Sequence, residues 1–515
     1  MKTSDIRWFA GEESLRSQIE HALATRPDAT ILLHESARRA IHRIFIENAP
    51  NTMRSTESVV VKIHRTATGR HRFRERLKRS LGRSPARREW QALESLFRAG
   101  VPVSRPRAWG RLADGNEFIV TDFVDGHRVT EPRTEVMDAM AKAFAKLHDA
   151  GYSHGDLHLG NILIVGPEIV LLDLQRARQH TRRRHAEDRL WDLARLELSL
   201  ARAGWSPTAR RALRDRLDSG DAFGRVWRHF LRDHVRGRAR RVLRVGRNWS
   251  SARVGALRGL RDVSLEEKTL ATLIESCAHA AATRDRRDGR VQLIESALPG
   301  RENGEHIVIV KRIAAGNLRR ALGDRLRGTP AARAFRAGQA SGLISKRAAR
   351  PLAFLEEWRF GLPTTSWLVL EKVGDQDLDQ ALPSSPETEI RLARALGEWL
   401  AEGHAWGLSH RDVKASNIRV SIRADSIQFW MIDLEDLNGP RELSDEARLH
   451  TLSQLNASLD DEAVGNEVRL AALEVYESWM PFESARQEDA AATIARQSLA
   501  RAHRWRGGEP ACCVR

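Results

Sequence analysis

Hydrophobic and polar positions follow the same scheme twice along this chain. A run rich in β-branched residues with one lysine near its end comes first, SVVVKIHR around Lys62 and HIVIVKRI around Lys311. A helical pattern follows each run, from Pro85 and from Pro330, and a proline in the first turn is compatible with a helix. A second β pattern comes next, EFIVTDFVDG in one copy and SWLVLEKVGD in the other.

The second half of each copy begins with a long helical pattern and ends with a short apolar strand. Between them lie two similar stretches, KLHDAGYSHGDLHLGNILI and EGHAWGLSHRDVKASNIRV. The strand ends at an acidic residue, Asp173 in EIVLLDLQ and Asp433 in IQFWMIDLED. A period of about 250 residues indicates a duplicated domain, not a solenoid of short repeats. We therefore predict an α+β fold with two tandem bilobal domains, residues 1–258 and 259–515, each with a β-rich N-terminal lobe and a helical C-terminal lobe.

The length of 515 residues agrees with two domains, because it exceeds the size at which a single core stops growing. Hydrophobic residues make up 41% of the chain and charged residues 30%, as in globular proteins. No tract is apolar enough to span a bilayer and the first residues lack a secretory apolar segment, so we expect a cytoplasmic protein. The 3 cysteines, Cys277, Cys512 and Cys513, are too few for a disulfide framework or a zinc site with four ligands.

The net charge of +17 comes from arginine, with clusters at 182–184 and along 225–247. A field of this sign attracts phosphate groups, acidic lipid head groups or nucleic acid. The run VWRHFLRDHVRGRARRVLRV also fits a pair of helices with a solvated basic face, which needs no partner. Two interpretations stay open, the solvated face and a peripheral contact with an anionic surface at the inner face of the membrane. We expect no nucleic acid.

The polar residues of each copy match the requirements of phosphoryl transfer. That reaction needs a cation on the nucleotide phosphates, hard oxygen ligands for Mg²⁺ and a carboxylate that orients the attacking hydroxyl group. The first copy supplies them as Lys62, Asp156, Asn161 and Asp173, and the second as Lys311, Asp412, Asn417 and Asp433. In both copies the asparagine follows the aspartate by five residues in a loop opened by histidine, which is the spacing of a kinase catalytic loop. The sequence thus predicts sites for ATP and Mg²⁺.

These stretches resemble the lipopolysaccharide core-sugar kinases, the Kdo and heptose kinases, which are remote relatives of protein kinases. HGDLHLGN, LLDLQRAR and ARREWQALESLFRAGVPVSRPRAWG carry the resemblance, which covers most of residues 30–200 and, more faintly, 290–460. It implies a protein-kinase-like fold and a sugar of a cell-envelope glycolipid as acceptor. It also implies that Asp156 is the catalytic base and that Lys62 pairs with Glu89 and contacts ATP. Asn161 and Asp173 would bind Mg²⁺.

The chain departs from that family's pattern at the phosphate loop, because neither copy has a GxGxxG motif. The first copy has LLHESARRAIHRIF at the expected hairpin. Ser36–Arg39 would cap phosphates there with backbone N–H groups and arginine instead of glycines.

A second departure concerns the partner of the second lysine. Ala334 stands at the position that matches Glu89, so we expect Lys311 to lack its usual orienting carboxylate. Glu356 or Glu357 would replace it only if the chain folds one of them back toward the strand.

The loop residue two positions after the aspartate is His158 in the first copy and Lys414 in the second, and protein kinases have a lysine there that meets the transferred phosphate. A serine/threonine protein kinase is therefore one alternative, and a pseudokinase scaffold or regulator for the second domain is another. We interpret His154 and His410 as structural and Asp192 as a carboxylate that braces the loop. The candidate residues are Asp156 and Asp412 for catalysis, Lys62, Glu89, Lys311 and Lys414 for ATP, and Asn161, Asp173, Asn417 and Asp433 for Mg²⁺.

Overall fold

The computed structural model describes residues 6–25, 30–36, 38–46, 57–65, 84–180, 182–217, 220, 222–246, 248–283, 290–298, 306–342, 348–382, 385–424, 426–460, 463–482 and 487–500. The chain divides into two compact units, Met1–Val226 and Trp227–Arg515, each with its own sheet of six strands.

The sheet of unit 1 is antiparallel and holds the first lysine strand near its centre. Its strands are β1 (Arg7–Ala10), β2 (Thr30–Glu35), β3 (Arg39–Ile46), β4 (Glu57–His64), β5 (Pro106–Arg111) and β6 (Glu117–Asp122). They pair in the order β1-β5-β6-β4-β3-β2. Alternate residues of β4, Val59 and Val61, face a core that also contains Leu15 and Ile19 of the first helix.

Helices and short strands make up the rest of unit 1. The helices are α1 (Glu13–Thr25), α2 (Pro85–Arg98), α3 (Thr134–Asp149), α4 (Arg182–Arg202), α5 (Pro207–Arg216) and α6 (Ala222–Val242), and the division between the units falls within α6. The short strands are β7 (His127–Arg128), β8 (Tyr152–Ser153), β9 (Ile162–Val165), β10 (Glu168–Leu171) and β11 (Arg178–Gln179). The predicted apolar stripe of α3, which includes Met140 and Phe144, is buried.

Unit 2 also has an antiparallel sheet of six strands, but the strands at its edges differ from those of unit 1. Its strands are β12 (Trp249–Val254), β13 (Leu257–Asp262), β14 (Val291–Ala297), β15 (Ile307–Ala314), β16 (Pro351–Arg359) and β17 (Leu362–Glu371). They pair in the order β12-β13-β16-β17-β15-β14. One face packs against the helix that follows β13, through Leu270 and Leu273. The other packs around Phe335.

The helices of unit 2 after α6 are α7 (Glu267–Thr283), α8 (Leu318–Arg327), α9 (Pro330–Gly342), α10 (Leu378–Ala381), α11 (Pro386–Ala405), α12 (Asp445–Ala457), α13 (Asn466–Trp479) and α14 (Gln487–Leu499). Its short strands are β18 (Gln376–Asp377), β19 (Ser409–His410), β20 (Ile418–Ile422), β21 (Ile427–Met431) and β22 (Leu437–Asn438). The order of lysine strand, helix, loop and acidic strand end is therefore the same in both units.

The arginine-rich run is one helix, α6, where the sequence predicted a pair. No proline interrupts the run, and a glycine inside a helix weakens it without ending it. The side chains at 182–184 and 237–241, and residue 247, lie outside the described part of the chain.

The predicted domain bounds, 1–258 and 259–515, stay a prediction, although β12 and the start of β13 lie before residue 259 and belong to the second sheet. Cys277 is a buried free thiol, and the other two cysteines lie outside the described residues. Among the described helices, none has the length and apolar character needed to cross a membrane.

Candidate active site

Lys62 lies on β4, and its ammonium group bridges two carboxylates. β4 has strand neighbours on both sides, so the lysine stem is enclosed and the residue is only 7% exposed. The Nζ atom is 2.8 Å from Glu89 Oε1 and 2.7 Å from Asp173 Oδ1. Burial would lower the pKa of Lys62, but the two carboxylates outweigh it and raise the pKa. The lysine therefore keeps its positive charge.

The helix α2 brings Glu89 to this lysine. Ser84 caps the helix, because its Oγ accepts a hydrogen bond from the N–H group of Arg87. Glu89 is buried, and its Oε2 atom lies 3.2 Å from His64 Nε2. Burial would raise the pKa of Glu89, but Lys62 and His64 hold it below its usual value. Glu89 thus stays ionised and holds Lys62 in place.

Asp173 follows β10 and receives cations on both carboxylate oxygens. Its φ of 57° is in the left-handed region, which aspartate tolerates better than most residues. Arg39 Nη1 lies 2.7 Å from Oδ2, opposite the oxygen that Lys62 contacts. Burial opposes the negative charge, but Lys62 and Arg39 hold the pKa of Asp173 well below its usual range. The carboxylate is therefore ionised at neutral pH.

The loop between β8 and β9 holds Asp156 and Asn161 together. Asn161 Nδ2 donates a hydrogen bond of 3.0 Å to the backbone oxygen of Asp156. The side chain of Asp156 is 37% exposed, and one oxygen lies 3.4 Å from Arg176 Nη1. Asp156 is therefore the carboxylate of this site that an acceptor can reach from solvent.

Asp192 of α4 braces the loop between β8 and β9. Its two oxygens accept backbone N–H groups, from His154 at 2.6 Å and from Gly155 at 2.9 Å. The ring of His154 bonds the backbone oxygen of Leu172 at 3.0 Å, next to Asp173. These contacts agree with the structural interpretation of His154 and with the bracing role of Asp192.

In unit 2, Lys311 of β15 also bridges two carboxylates, but both come from one segment. Its Nζ atom is 2.8 Å from Asp433 Oδ1 and 3.0 Å from Glu435 Oε1. Burial would lower the pKa of Lys311, and Glu435 and Asp433 outweigh it and raise the pKa. As expected, Ala334 gives Lys311 no carboxylate at the position of Glu89, but a second carboxylate contacts the lysine nonetheless. Ala334 is buried on α9, and Glu435 supplies the carboxylate from elsewhere.

The two glutamates that the sequence suggested as substitutes have other partners. Glu356 accepts a hydrogen bond of 2.6 Å from Thr329 Oγ1, and Glu357 pairs with Arg359 at 2.8 Å. Both lie on β16, whose neighbours are β13 and β17, so the lysine strand β15 is not adjacent to them.

The candidate catalytic loop of unit 2 repeats the turn of the corresponding loop in unit 1. Asn417 Nδ2 donates to the backbone oxygen of Asp412 at 3.0 Å, and Lys414 Nζ lies 2.6 Å from Asp412 Oδ2. Its brace is an amide, because Gln454 donates to the backbone oxygen of Arg411 at 2.7 Å. The second loop is thus braced differently from the first.

The turn between β2 and β3 lies over the first site. The backbone N–H of Ser36 donates to Arg39 O at 2.8 Å, and Ser36 Oγ accepts the N–H of Arg39 at 3.2 Å. Because Arg39 reaches Asp173, the predicted phosphate-capping turn is adjacent to the predicted metal ligand. In unit 2, β14 is the outer strand of the sheet, and the described residues contain no strand beyond it.

Sequence interpretation missed three contacts of the two sites. His64 contacts Glu89 from the end of the lysine strand, and Arg39, named only as a phosphate cap, contacts Asp173. Glu435 contacts Lys311 and was visible in IQFWMIDLED as an acid two residues after Asp433. The first copy has its lysine partner on the following helix, whereas the second copy has it after the acidic strand end.

Comparison with known proteins gives a family match over both copies. The model of the lipopolysaccharide kinase (Kdo/WaaP) family matches residues 46–215 and 326–476, which is more than half of the chain. These segments contain all the candidate residues for catalysis, ATP and Mg²⁺ except Lys311, and the phosphate-capping turn Ser36–Arg39 also lies outside them. The match confirms the predicted resemblance, and the mixed helices and strands agree with a protein-kinase-like fold.

Individual relatives are more distant. The RIO-type serine/threonine-protein kinase Rio1 of Haloferax volcanii is 33% identical over 99 residues, 18% of this chain and 34% of that protein, so the match spans about a third of this curated relative. A structure of WaaP in complex with acyl carrier protein shows 22% identity and a TM-score of 0.30 over 44% of this chain and 93% of that chain. The amicoumacin kinase hAmiN, in complex with AMP-PNP, Ca²⁺ and Ami, shows 14% identity and a TM-score of 0.34 over 45% and 88%. These superpositions are partial.

Proposed function

Because this chain belongs to the lipopolysaccharide kinase (Kdo/WaaP) family, we propose that it is an ATP-dependent phosphotransferase that acts on a hydroxyl group of a cell-envelope glycolipid sugar. The observation that carries the proposal is the position of Lys62 between Glu89 and Asp173. We further propose two tandem bilobal kinase-like domains. The repeated order of sheet, lysine strand, helix and loop supports this division.

In the proposed reaction Asp156 accepts the proton of the acceptor hydroxyl group. The hydroxyl oxygen forms a bond to the γ-phosphorus of ATP, the bond from that phosphorus to the bridging oxygen breaks, and ADP leaves with the electron pair. Lys62, held by Glu89, would contact the ATP phosphates and offset their negative charge. The exposure of Asp156 supports its role as the base, because the acceptor must approach from solvent.

The donor atoms of the first site fit Mg²⁺. The carboxylate of Asp173 and the amide oxygen of Asn161 are hard donors, and Asn161 Nδ2 is already engaged with a backbone oxygen. Across the described residues, no group of three or more His, Cys, Asp or Glu side chains could hold a metal ion, so phosphate oxygens and water would complete the shell. A bound Mg²⁺ would neutralise charge on the transferred phosphoryl group.

For the second unit we propose nucleotide binding through Lys311, Asn417 and Asp433. A serine/threonine protein kinase remains the second candidate function. The contact of Lys414 with the carboxylate of Asp412, at 2.6 Å, favours it, because that lysine would be next to a transferred phosphate. A regulatory unit without turnover is the third.

We propose that the protein is cytoplasmic and meets its acceptor at the inner face of the membrane. The test is ATP turnover by the purified chain with lipopolysaccharide, with a protein substrate and with neither. Stimulation by lipopolysaccharide supports the proposal, whereas stimulation by the protein substrate alone favours the second candidate.

Asp173→Ala should reduce Mg²⁺-dependent turnover by at least about 100-fold and leave the fold intact, because the other carboxylates of the described site have other roles: Glu89 holds Lys62, and Asp156 is the proposed base. Asp149→Ala, at an exposed position at the end of α3, is the control. Circular dichroism and thermal unfolding check the fold. Full activity of the Asp173 variant would contradict the assignment of the first site.

A further inference from the structure

A row of leucines lies on the outer side of α8, the helix that follows the second lysine strand. Leu318, Leu322 and Leu326 are one helical turn apart and are 65%, 48% and 87% exposed. Ala321 and Asp324, on another side of the helix, are buried. The helix therefore packs on its own unit and still presents a continuous apolar stripe to solvent, which marks an interaction surface.

Arginines flank this stripe. α8 contains Arg319, Arg320, Arg325 and Arg327, and all four are exposed. At about 100° per residue, Arg319 and Arg325 lie on the two sides of the leucines. The helix has one acid, Asp324, which is buried and pairs with Arg333 at 3.1 Å. Within the described chain, none of the four arginines has a carboxylate partner, so the helix surface carries a net positive charge.

An aromatic turn extends the same surface. Phe360 lies between β16 and β17, is fully exposed at 103% and has a φ of 49°, followed by Gly361 with a φ of 74°. Such a turn favours asparagine and glycine, and it is unfavourable for a bulky side chain. Trp358 beside it is 44% exposed. An aromatic ring held in solvent on an unfavourable backbone conformation indicates a role outside the fold.

One hydrogen bond joins the helix to the turn. Arg325 Nη1 donates to the backbone oxygen of Gly361 at 2.7 Å. The two elements therefore form one apolar–basic surface, whose apolar members are Leu318, Leu322, Leu326, Trp358 and Phe360.

We propose that the apolar–basic surface binds a membrane that contains anionic lipids. Leucine and phenylalanine side chains would enter the boundary between head groups and acyl chains, as in amphipathic helices that lie in the plane of the interface. The arginines would contact lipid phosphates. The positive charge favours an anionic partner, and the continuous apolar stripe favours a partner with acyl chains, which a soluble polyanion lacks. The proposal rests on the membrane location given under the proposed function, and vesicle binding tests it separately from ATP turnover.

The test is sedimentation of the full chain with vesicles of phosphatidylcholine alone, or of phosphatidylcholine and phosphatidylglycerol in equal parts. The wild type should bind the anionic vesicles, and Phe360→Asn should weaken this binding about tenfold, because it removes the exposed ring that would enter the boundary between head groups and acyl chains. Asparagine suits the backbone of the turn, so thermal unfolding should show an intact or stabilised fold. A variant with Leu318→Gln, Leu322→Gln and Leu326→Gln should bind still less.

Leu499→Gln, at a 42% exposed position of α14, is the control and should bind like the wild type. The proposal is overturned if the wild type does not bind the anionic vesicles. It is also overturned if the Phe360 variant and the leucine variant bind them as well as the wild type does. If these variants keep vesicle binding that high salt abolishes, other arginines make the contact. If instead the wild type does not bind vesicles and Phe360→Asn turns a dimer into a monomer, the surface joins two copies of the chain.

Discussion

Lys62 and Lys311 each form ion pairs with two carboxylates. One is the aspartate at the acidic strand end, and the other comes from a different element in each unit. Glu89 is on a helix that packs beside the lysine strand, whereas Glu435 follows the metal-binding candidate Asp433 by two residues. In unit 1 the two carboxylates therefore lie on separate elements, whereas in unit 2 both lie on the segment that follows β21.

His404 is a buried histidine of unit 2, and its titration should affect the stability of this unit. Its Nδ1 atom lies 2.8 Å from the hydroxyl group of Tyr476. Burial, with a smaller effect from Arg448, lowers the pKa of His404 from 6.5 to about 3. The unfolded chain thus binds a proton at a higher pH than the folded chain. The stabilising contribution is complete above pH 6.5 and is lost as the pH falls from 6.5 towards 3.

We expect the free energy of unfolding of unit 2 to fall by about 1.4 kcal/mol for each pH unit below 6.5 from this group alone. Urea unfolding of the wild type and of His404→Gln at several pH values isolates the contribution, because carboxylates titrate in both. His279→Gln, an exposed position on α7, is the control and should keep the slope. Equal slopes for the wild type and His404→Gln would contradict the prediction.

At the level of secondary-structure elements, the β2–β3 hairpin is the feature by which the site of unit 1 differs from the site of unit 2. Arg39 occupies an oxygen of Asp173 at 2.7 Å. A metal ion on Asp173 would displace this guanidinium group, which would then be free to contact the nucleotide phosphates. We expect Arg39→Ala to lower kcat/KM for ATP by about tenfold or more, chiefly through KM. Arg38→Ala, an exposed position in the same turn, should have a smaller effect. Steady-state kinetics with varied ATP would show an unchanged KM for Arg39→Ala if this prediction is wrong.

β12, the edge strand of the second sheet, allows a test of the predicted domain boundary at 258/259. β12 pairs with β13 along six residue pairs, and Trp249 of β12 packs edge-on against Phe335, with ring centroids 4.8 Å apart. A fragment that begins at residue 259 lacks β12 and part of β13, so it should expose the core around Phe335. We expect residues 222–515 to unfold cooperatively and residues 259–515 to aggregate or to unfold at lower urea concentration. Equal stability of the two fragments would support the boundary at 258/259.

Over the whole molecule, the two sites should differ in activity. Both have a lysine held by carboxylates, so the partner of Lys311 no longer distinguishes them. The β2–β3 hairpin of unit 1 does distinguish the two sites. The described part of unit 2 contains no strand outside β14 that would cover the phosphates of a bound nucleotide. We expect Asp156→Ala to remove most ATP turnover and Asp412→Ala to remove much less, with a loss of about 100-fold for the first. Measurement of both variants with the same acceptor tests this. If Asp412→Ala is the inactive variant, the second unit is the main catalyst and the ranking is reversed.

The repeated lysine strand, helix, loop and acidic strand end were predictable from the sequence. Alternation in strands, helical spacing and the five-residue step from Asp156 to Asn161 are local regularities, and local backbone geometry imposes them. The family resemblance was also predictable from the sequence, because the same local motifs carry it. The roles of the individual site residues remain predictions, although their grouping around Lys62 agrees with them.

The partners of Lys311, the contact of Arg39 with Asp173 and the joining of α8 to the Phe360 turn became visible only in the folded chain. Glu435 and Lys311 are 124 positions apart, and Arg39 and Asp173 are 134 apart. Side chains at such separations meet only because the strands and loops pack in one arrangement, and no periodic pattern records which of several nearby acids faces the lysine. The same holds for exposure. A leucine spacing that predicts a buried helix face was found in solvent, because α8 packs through Ala321 and Asp324 instead.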